Sequence, residues 1–298
     1  MGANDCRIPA IFLVHKPAGE TSFTRVRATM EEIRAAGISR SRMPVCHGGT
    51  LDPFASGLLP ILTGPATKLF EHLHPLPKAY RATIAWGAET DNGDPQGSVV
   101  ATGDPSGLTL ARLEAALRPF LGWTDQVPPL HSNKRVGGER AWARARRGEA
   151  FELPPSRVYL HDARWRSLTE LELTCKGGYY VRALARDLGR ALGCRAHLAA
   201  LQRTEIGPWS DPAGEPVQVV GPALMPWAGR RALTDAELGE LRAGRTIELG
   251  EVGPPEWAPP EGFPLDPPFR AVHQGRLVAL LVERDGRWFA STLFRGGL

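Results

Sequence analysis

Between residues 47 and 60 the chain reads His47-Gly48-Gly49-Thr50-Leu51-Asp52-Pro53-Phe54-Ala55-Ser56-Gly57-Leu58-Leu59-Pro60. Gly and Pro interrupt this stretch too often for a helix interior or a central strand, so it is expected to form a structured loop. Gly48 and Gly49 are free to take backbone angles that other residues avoid. Asp52 is the sole acid of the stretch. Leu51, Phe54, Leu58 and Leu59 can anchor the loop to a core while the carboxylate points outward, and Pro53 stiffens the backbone just after it. Asp-Pro is also a common turn initiator. Spacing alone leaves open both a turn residue and a rigidly presented carboxylate.

Upstream, Ile11-Phe12-Leu13-Val14 reads as a buried strand ending in the turn His15-Lys16-Pro17-Ala18-Gly19. Ser22 is expected to cap a helix that carries Val26, Met30 and Ile33 and closes near Gly37. Downstream, Lys78 to Trp86 alternates as a strand, with Tyr80, Ala82, Ile84 and Trp86 on one face. Asp91 to Gly97 is a polar turn expected to close a hairpin with 98–101. Thr109 is an expected N-cap for a helix bearing Leu113 and Leu117. Residues 157–166 and 168–176 read as paired strands, and Gly177-Gly178 turns the chain into a helix over about 179–192. Strands and helices without strict alternation indicate an α+β class, a mixed, mostly antiparallel sheet flanked by helices.

The 298 residues, 42 % of them hydrophobic, are ample for one large domain and a smaller one. A Pro- and Gly-rich stretch over 211–228 is a candidate linker. We therefore expect a large domain over 1–228 and a small β-rich module over 229–298, with a Pro-rich insertion at 253–268. No apolar run approaches the ~20 residues of a membrane span, and the N-terminus lacks the apolar core of a signal peptide. A cytoplasmic protein without a membrane partner is expected.

Cys6, Cys46, Cys175 and Cys194 form no CxxC pair and no cluster with His, so neither a disulfide framework nor a metal site is expected. Lys and Arg (36) exceed Asp and Glu (32) by four. The excess is clustered: Lys134, Arg135, Arg140, Arg144, Arg146 and Arg147 face only Glu139 within residues 134–147. Charge alone fits either a polyanion surface or a solvated helix face.

Set side by side, these pieces resemble the TruB family of tRNA pseudouridine synthases. The family presents its catalytic Asp in a Gly-x-Leu-Asp-Pro-x-Ala-x-Gly-x-Leu-Pro loop, matched here around Asp52. Lys16-Pro17, Lys78-x-Tyr80, Pro129-x-x-Ser132 and Lys176-Gly-Gly-Tyr-Tyr180-Val-Arg182 follow in order. The chain departs from the pattern at Cys46, where a Gly usually precedes the His. The C-terminal module resembles a PUA domain, a small RNA-binding β-barrel. The resemblance covers about residues 9 to 207 well and the rest loosely. It implies a pseudouridine synthase fold, isomerisation of uridine at position 55 in the T-loop of tRNA, no cofactor and no guide RNA. A monomer is expected.

The resemblance also implies roles. Asp52 reacts, Arg182 pairs with it, and Tyr80 stacks on the flipped base and takes the final proton. Tyr180 packs against that base and His47 contacts T-loop nucleotides. Lys16 and Leu201 line the pocket and support the loop, and Arg144 and Arg147 contact phosphates. The chemistry fits the residues: rejoining a base through carbon needs a nucleophile or a stabiliser of an oxocarbenium, plus a proton acceptor, but no redox group. A guide-dependent synthase and an RNA-binding or tRNA-folding factor are the alternatives.

Overall fold

A computed structural model describes residues 5–132 and 134–298. The N-terminal half supplies β1 (Ile11–Lys16), β2 (Val45–His47), β3 (Ser56–Thr63), β4 (Lys78–Trp86), β5 (Ala88–Thr90), β6 (Val99–Thr102) and β7 (Gly122–Gln126). A short hairpin, β8 (Arg135–Val136) and β9 (Glu139–Arg140), is followed by β10 (Ser156–Trp165), β11 (Glu170–Cys175), β12 (Ala196–Ile206), β13 (Trp209–Ser210) and β14 (Val217–Val219). The small module holds β15 (Gly229–Ala232), β16 (Ile247–Glu248), β17 (Phe269–His273), β18 (Arg276–Arg284) and β19 (Arg287–Leu293). The helices are α1 (Ser22–Ala35), α2 (Phe70–Leu73), α3 (Leu110–Leu117), α4 (Ala141–Arg146), α5 (Val181–Ala191) and α6 (Asp235–Arg242).

The large sheet runs β14-β1-β3-β12-β4-β11-β10-β7, with β2 attached to β3 and β13 to β12. Its pairings are antiparallel except for β3 against β12, which is parallel. The expected α+β class with a mixed, mostly antiparallel sheet is therefore what the chain adopts. The small sheet, β15-β17-β18-β19-β16, curls into a half-barrel, consistent with the PUA-like β-barrel expected of the C-terminal module. Among the described residues no helix is long and apolar enough to cross a membrane.

One expectation fails at its far end. The loop after His47 does not continue to Pro60, because Ser56 onward is a central strand, paired with β1 from Gly57 to Leu62. Leu59 and Ile61 enter the core beneath α5, whereas Leu58 and Leu62 enter a second core on the opposite face. A strand buried on both faces shows no apolar–polar alternation, which hides it from a period-2 reading. Pro60 is tolerated for a local reason. Its carbonyl accepts from Gly48 N at 2.7 Å, so its nitrogen faces the gap between the β12 pairing at Ser56–Gly57 and the β2 pairing at Ile61–Thr63. No ladder bond is lost there.

Two further details differ. Thr21, not Ser22, caps α1, its side chain accepting from Thr24 N. The candidate linker is no linker. Its residues 217–219 form the edge strand β14, and Leu224, Met225, Trp227 and Ala228 are buried in the core between the two sheets. There Trp227 meets Trp209 edge-on at 5.4 Å, and the guanidinium of the fully buried Arg270 donates to Met225 O at 2.8 Å. The Pro-rich insertion is also tied down: Phe263 packs edge-on against Tyr159, whose hydroxyl donates to Gly262 O at 3.2 Å.

Candidate active site

Asp52 sits on a short turn between β2 and β3, closed by Ala55 N donating to Asp52 O at 3.1 Å. Arg182, in the first turn of α5, holds it with a two-pronged bond: Nε to Oδ2 at 2.9 Å and Nη2 to Oδ1 at 3.0 Å. The same guanidinium donates to Asn92 O at 2.7 Å and to His131 O at 2.9 Å. Burying such a cation is costly unless charge and hydrogen bonds are both answered, and here both are. The arginine side chain is 5 % exposed while the carboxylate side chain is 33 % exposed. The pair thus presents a fixed, ionisable carboxylate at a surface opening and keeps its counter-charge inside.

The turn itself is clamped from three sides. Ser22 Oγ accepts from Leu51 N at 2.9 Å and donates to Leu51 O at 3.1 Å. Lys16 is fully buried, and its ammonium donates to Pro17 O at 2.9 Å, Glu20 O at 2.8 Å and Pro53 O at 3.4 Å. Burial pushes this lysine down to about 8. Arg203, on β12, donates to Gly49 O at 3.0 Å, Thr50 O at 3.4 Å and Leu58 O at 2.8 Å. A Cβ on Gly48 would stand 2.7 Å from Leu73 Cδ2, so the buried Leu73 side chain would have to shift to admit one. Of the two glycines Gly49 alone takes a positive φ, +152°. Cys46 lies in the extended β2 opposite Leu62, where nothing demands a glycine.

Tyr80 lies on β4 directly opposite Arg203 of β12 and Leu173 of β11. Burial, the leading cause, pushes its phenol up to about 12, so it carries its proton at neutral pH. Tyr180 precedes α5 and is fixed through its backbone. Gln126 at the end of β7 accepts from Tyr180 N at 2.9 Å and donates to Tyr180 O at 3.1 Å. His47 closes β2, its Nδ1 buried without a hydrogen-bond partner among the described residues. Burial first, and then the charge of Arg203, lower its pKa and favour neutral imidazole. Leu201 is a core residue on β12, 7 % exposed and opposite Ala82.

The basic stretch leaves the site from His131. Arg186 Nη2 donates to Val127 O at 2.9 Å, so with Gln126 and Arg182 it lays residues 126–131 along the start of α5. Arg144 and Arg147 are both paired with carboxylates. Arg144 binds Glu149 at 2.7 Å, and Arg147 binds both Glu139 and Glu149 at 2.6 Å. Glu149 lies two residues beyond the window in which the charges were counted. Arg146 instead packs over the half-exposed ring of Trp142 at 5.4 Å.

The structure thus brings together Asp52 and Arg182, the pair the family resemblance implies. The sequence offers no signal for Ser22, Gln126 and Arg203 at this site, since they act on backbone atoms and leave no pattern of side-chain types. Among the described residues no group of three or more His, Cys, Asp and Glu is placed to hold a metal.

A family model described as TruB family pseudouridylate synthase (N terminal domain) matches residues 39–181, and one described as tRNA pseudouridylate synthase B C-terminal domain matches residues 182–225. A tRNA pseudouridine synthase B of Synechococcus sp. (strain CC9311) is 38 % identical over 261 residues, covering 79 % of this chain and 84 % of that protein. A tRNA pseudouridine synthase B of Bordetella avium (strain 197N) is 37 % identical over 245 residues, covering 79 % and 96 %. Among solved structures, a chain of a Cbf5-Nop10-Gar1 complex superposes with a TM-score of 0.64 at 18 % identity, over 95 % of this chain and 84 % of that one. That likeness is one of fold.

Proposed function

Because this chain belongs to the TruB family of pseudouridylate synthases, we propose that it isomerises uridine to pseudouridine at position 55 in the T-loop of tRNA, with Asp52 as the reacting carboxylate. The relatives are named for tRNA, which supports the substrate class. The observation that carries the assignment of Asp52 is its asymmetric pairing: the guanidinium of Arg182 is inside and the carboxylate edge is open. The two-pronged bond from the guanidinium holds the carboxylate aimed at the opening.

The reaction breaks the bond from C1′ to N1, turns the base, and joins C1′ to C5. The C5 proton leaves and N1 gains one, so the atoms balance without a redox partner. An ionised carboxylate serves by attack at C1′ or by addition at C6 of the ring. The target base is stacked in free tRNA, so it is flipped out to reach Asp52. In this reading Tyr80 stacks on the flipped base and relays the C5 proton, releasing its own as it accepts. Tyr180 packs on the base, and His47 contacts neighbouring T-loop nucleotides. Lys16 and Leu201, both buried, support the loop and the pocket wall from behind. Arg144 and Arg147 meet phosphate after exchanging their glutamate partners for it. The protein acts as a monomer without guide RNA or cofactor.

The test uses wild type and Asp52→Asn with an unmodified T-arm hairpin. Pseudouridine is scored by carbodiimide adduct and primer extension, and binding by filter retention. Product with wild type and none with Asp52→Asn, at similar affinity, is the expected result. Binding without product for both proteins would overturn the reading in favour of an RNA-binding factor.

A further inference from the structure

Arg203 is 1 % exposed, yet among the described residues no carboxylate lies within ion-pair distance of it. A buried guanidinium without an acid is unusual, since burial of a charge is costly unless something answers it. What answers it here is backbone. Three carbonyls accept from it: Gly49 O and Thr50 O just before Asp52, and Leu58 O just after the turn returns to strand. One planar side chain therefore braces both flanks of the Asp52 turn, with the fork geometry that only arginine has. Its strand position adds a second relation. Arg203 and Tyr80 are direct cross-strand partners, so their side chains rise from the same face of the sheet.

We propose that Arg203 is a positioning residue for the reaction: it fixes the Asp52 turn from beneath and sets a permanent positive charge beside the Tyr80 phenol. The proposal rests on Asp52 being the reacting carboxylate. The charge also opposes the upward push of burial on that phenol, and it lowers His47, Lys16 and Lys78, which surround it. Arg182 and Arg203 divide the work. Arg182 binds the carboxylate itself, whereas Arg203 binds the chain that carries it and touches no carboxylate.

The experiment compares wild type, Arg203→Lys, Arg203→Met and Asp52→Asn on the T-arm hairpin. It measures single-turnover rate, hairpin affinity and the fraction folded by thermal melting, with amide exchange at residues 49–52 of each folded protein. A displacement of the carboxylate by about 1 Å costs on the order of 10²-fold in rate. Arg203→Met is therefore expected to lose about that much in rate per folded molecule, with affinity within threefold and faster exchange at 49–52. Arg203→Lys keeps the charge but loses the fork, and is expected to recover part of the rate while exchange stays fast. Should Arg203→Met fold too poorly to assay, Arg203→Lys alone decides: wild-type rate with wild-type exchange overturns the proposal. A loss in any variant that merely tracks its folded fraction also overturns it, since that is a purely structural role. If Asp52→Asn turns over normally, the assignment of Asp52 fails instead. Loss in Asp52→Asn with a normal rate in Arg203→Met sinks only the inference about Arg203.

Discussion

Arg182 and Lys78 are both cations withdrawn from water, and they meet the cost of burial differently. Arg182 faces a carboxylate. Lys78, at the start of β4, donates to the carbonyls of Leu73, His74 and Leu76 at 2.8 to 3.3 Å and to no carboxylate among the described residues. Burial therefore pushes Lys78 down to about 7. An unfolded lysine titrates near 10.4, so between these values the unfolded chain binds the extra proton and stability rises with pH. The full penalty is present below about pH 7 and lifts as pH climbs toward the unfolded value. The gap in urea midpoint between wild type and Lys78→Met is expected to move in favour of wild type from pH 7 to pH 9. A gap independent of pH would mean that Lys78 stays charged in the fold. At this scale Asp52 stands out as the sole acid of a Gly- and Pro-rich stretch, and Arg182, 130 positions on, stands out through the family resemblance. Arg203 does not, because its partners are peptide oxygens, which every residue has.

Among the elements, β3 shows where pattern reading runs out. Lys78 to Trp86 was legible because one face of β4 is more exposed than the other. Ser56 to Thr63 was not, since cores lie on both sides of it. The entry to β3 also explains Gly57. Its φ is +106°, and a Cβ there would stand 2.2 Å from Arg203 O, inside the parallel pairing with β12. Gly57→Ala is expected to cost at least about 2 kcal/mol, from backbone strain and forced separation of the two strands. Chemical unfolding monitored by tryptophan fluorescence checks this. A loss below about 0.5 kcal/mol would show that the strands part easily. Helix ends were easier to read, because a cap is a local side-chain event: Thr109 accepts from Arg112 N, three residues on. The first helix was misjudged by one residue, and that residue, Ser22, holds Leu51 instead.

Across the whole molecule, composition was a poor guide to joints and to charge. The Pro- and Gly-rich run before β15 looks like a tether, but its apolar residues fill the space between the sheets, and Trp227 is among the largest side chains wholly removed from water. The basic arm looks like free positive charge, but Glu139 and Glu149 already occupy Arg144 and Arg147. Replacing both arginines with glutamine is expected to weaken hairpin binding and lower the salt slope by about 0.7 to 0.9 per lost phosphate contact. Glu149→Gln is expected to do the opposite, because phosphate no longer competes with that carboxylate. Titrations from 50 to 200 mM salt decide, and unchanged slopes in both would make the arm an ordinary solvated face. The brace beneath Asp52 also has a consequence in time. Arg203 grips carbonyls 145 to 154 positions earlier in the chain, and closing so long a separation is entropically expensive and slow. On the proposed role of Arg203, a nascent chain emerging from the ribosome therefore leaves the Asp52 turn unbraced until β12 has been made and docked.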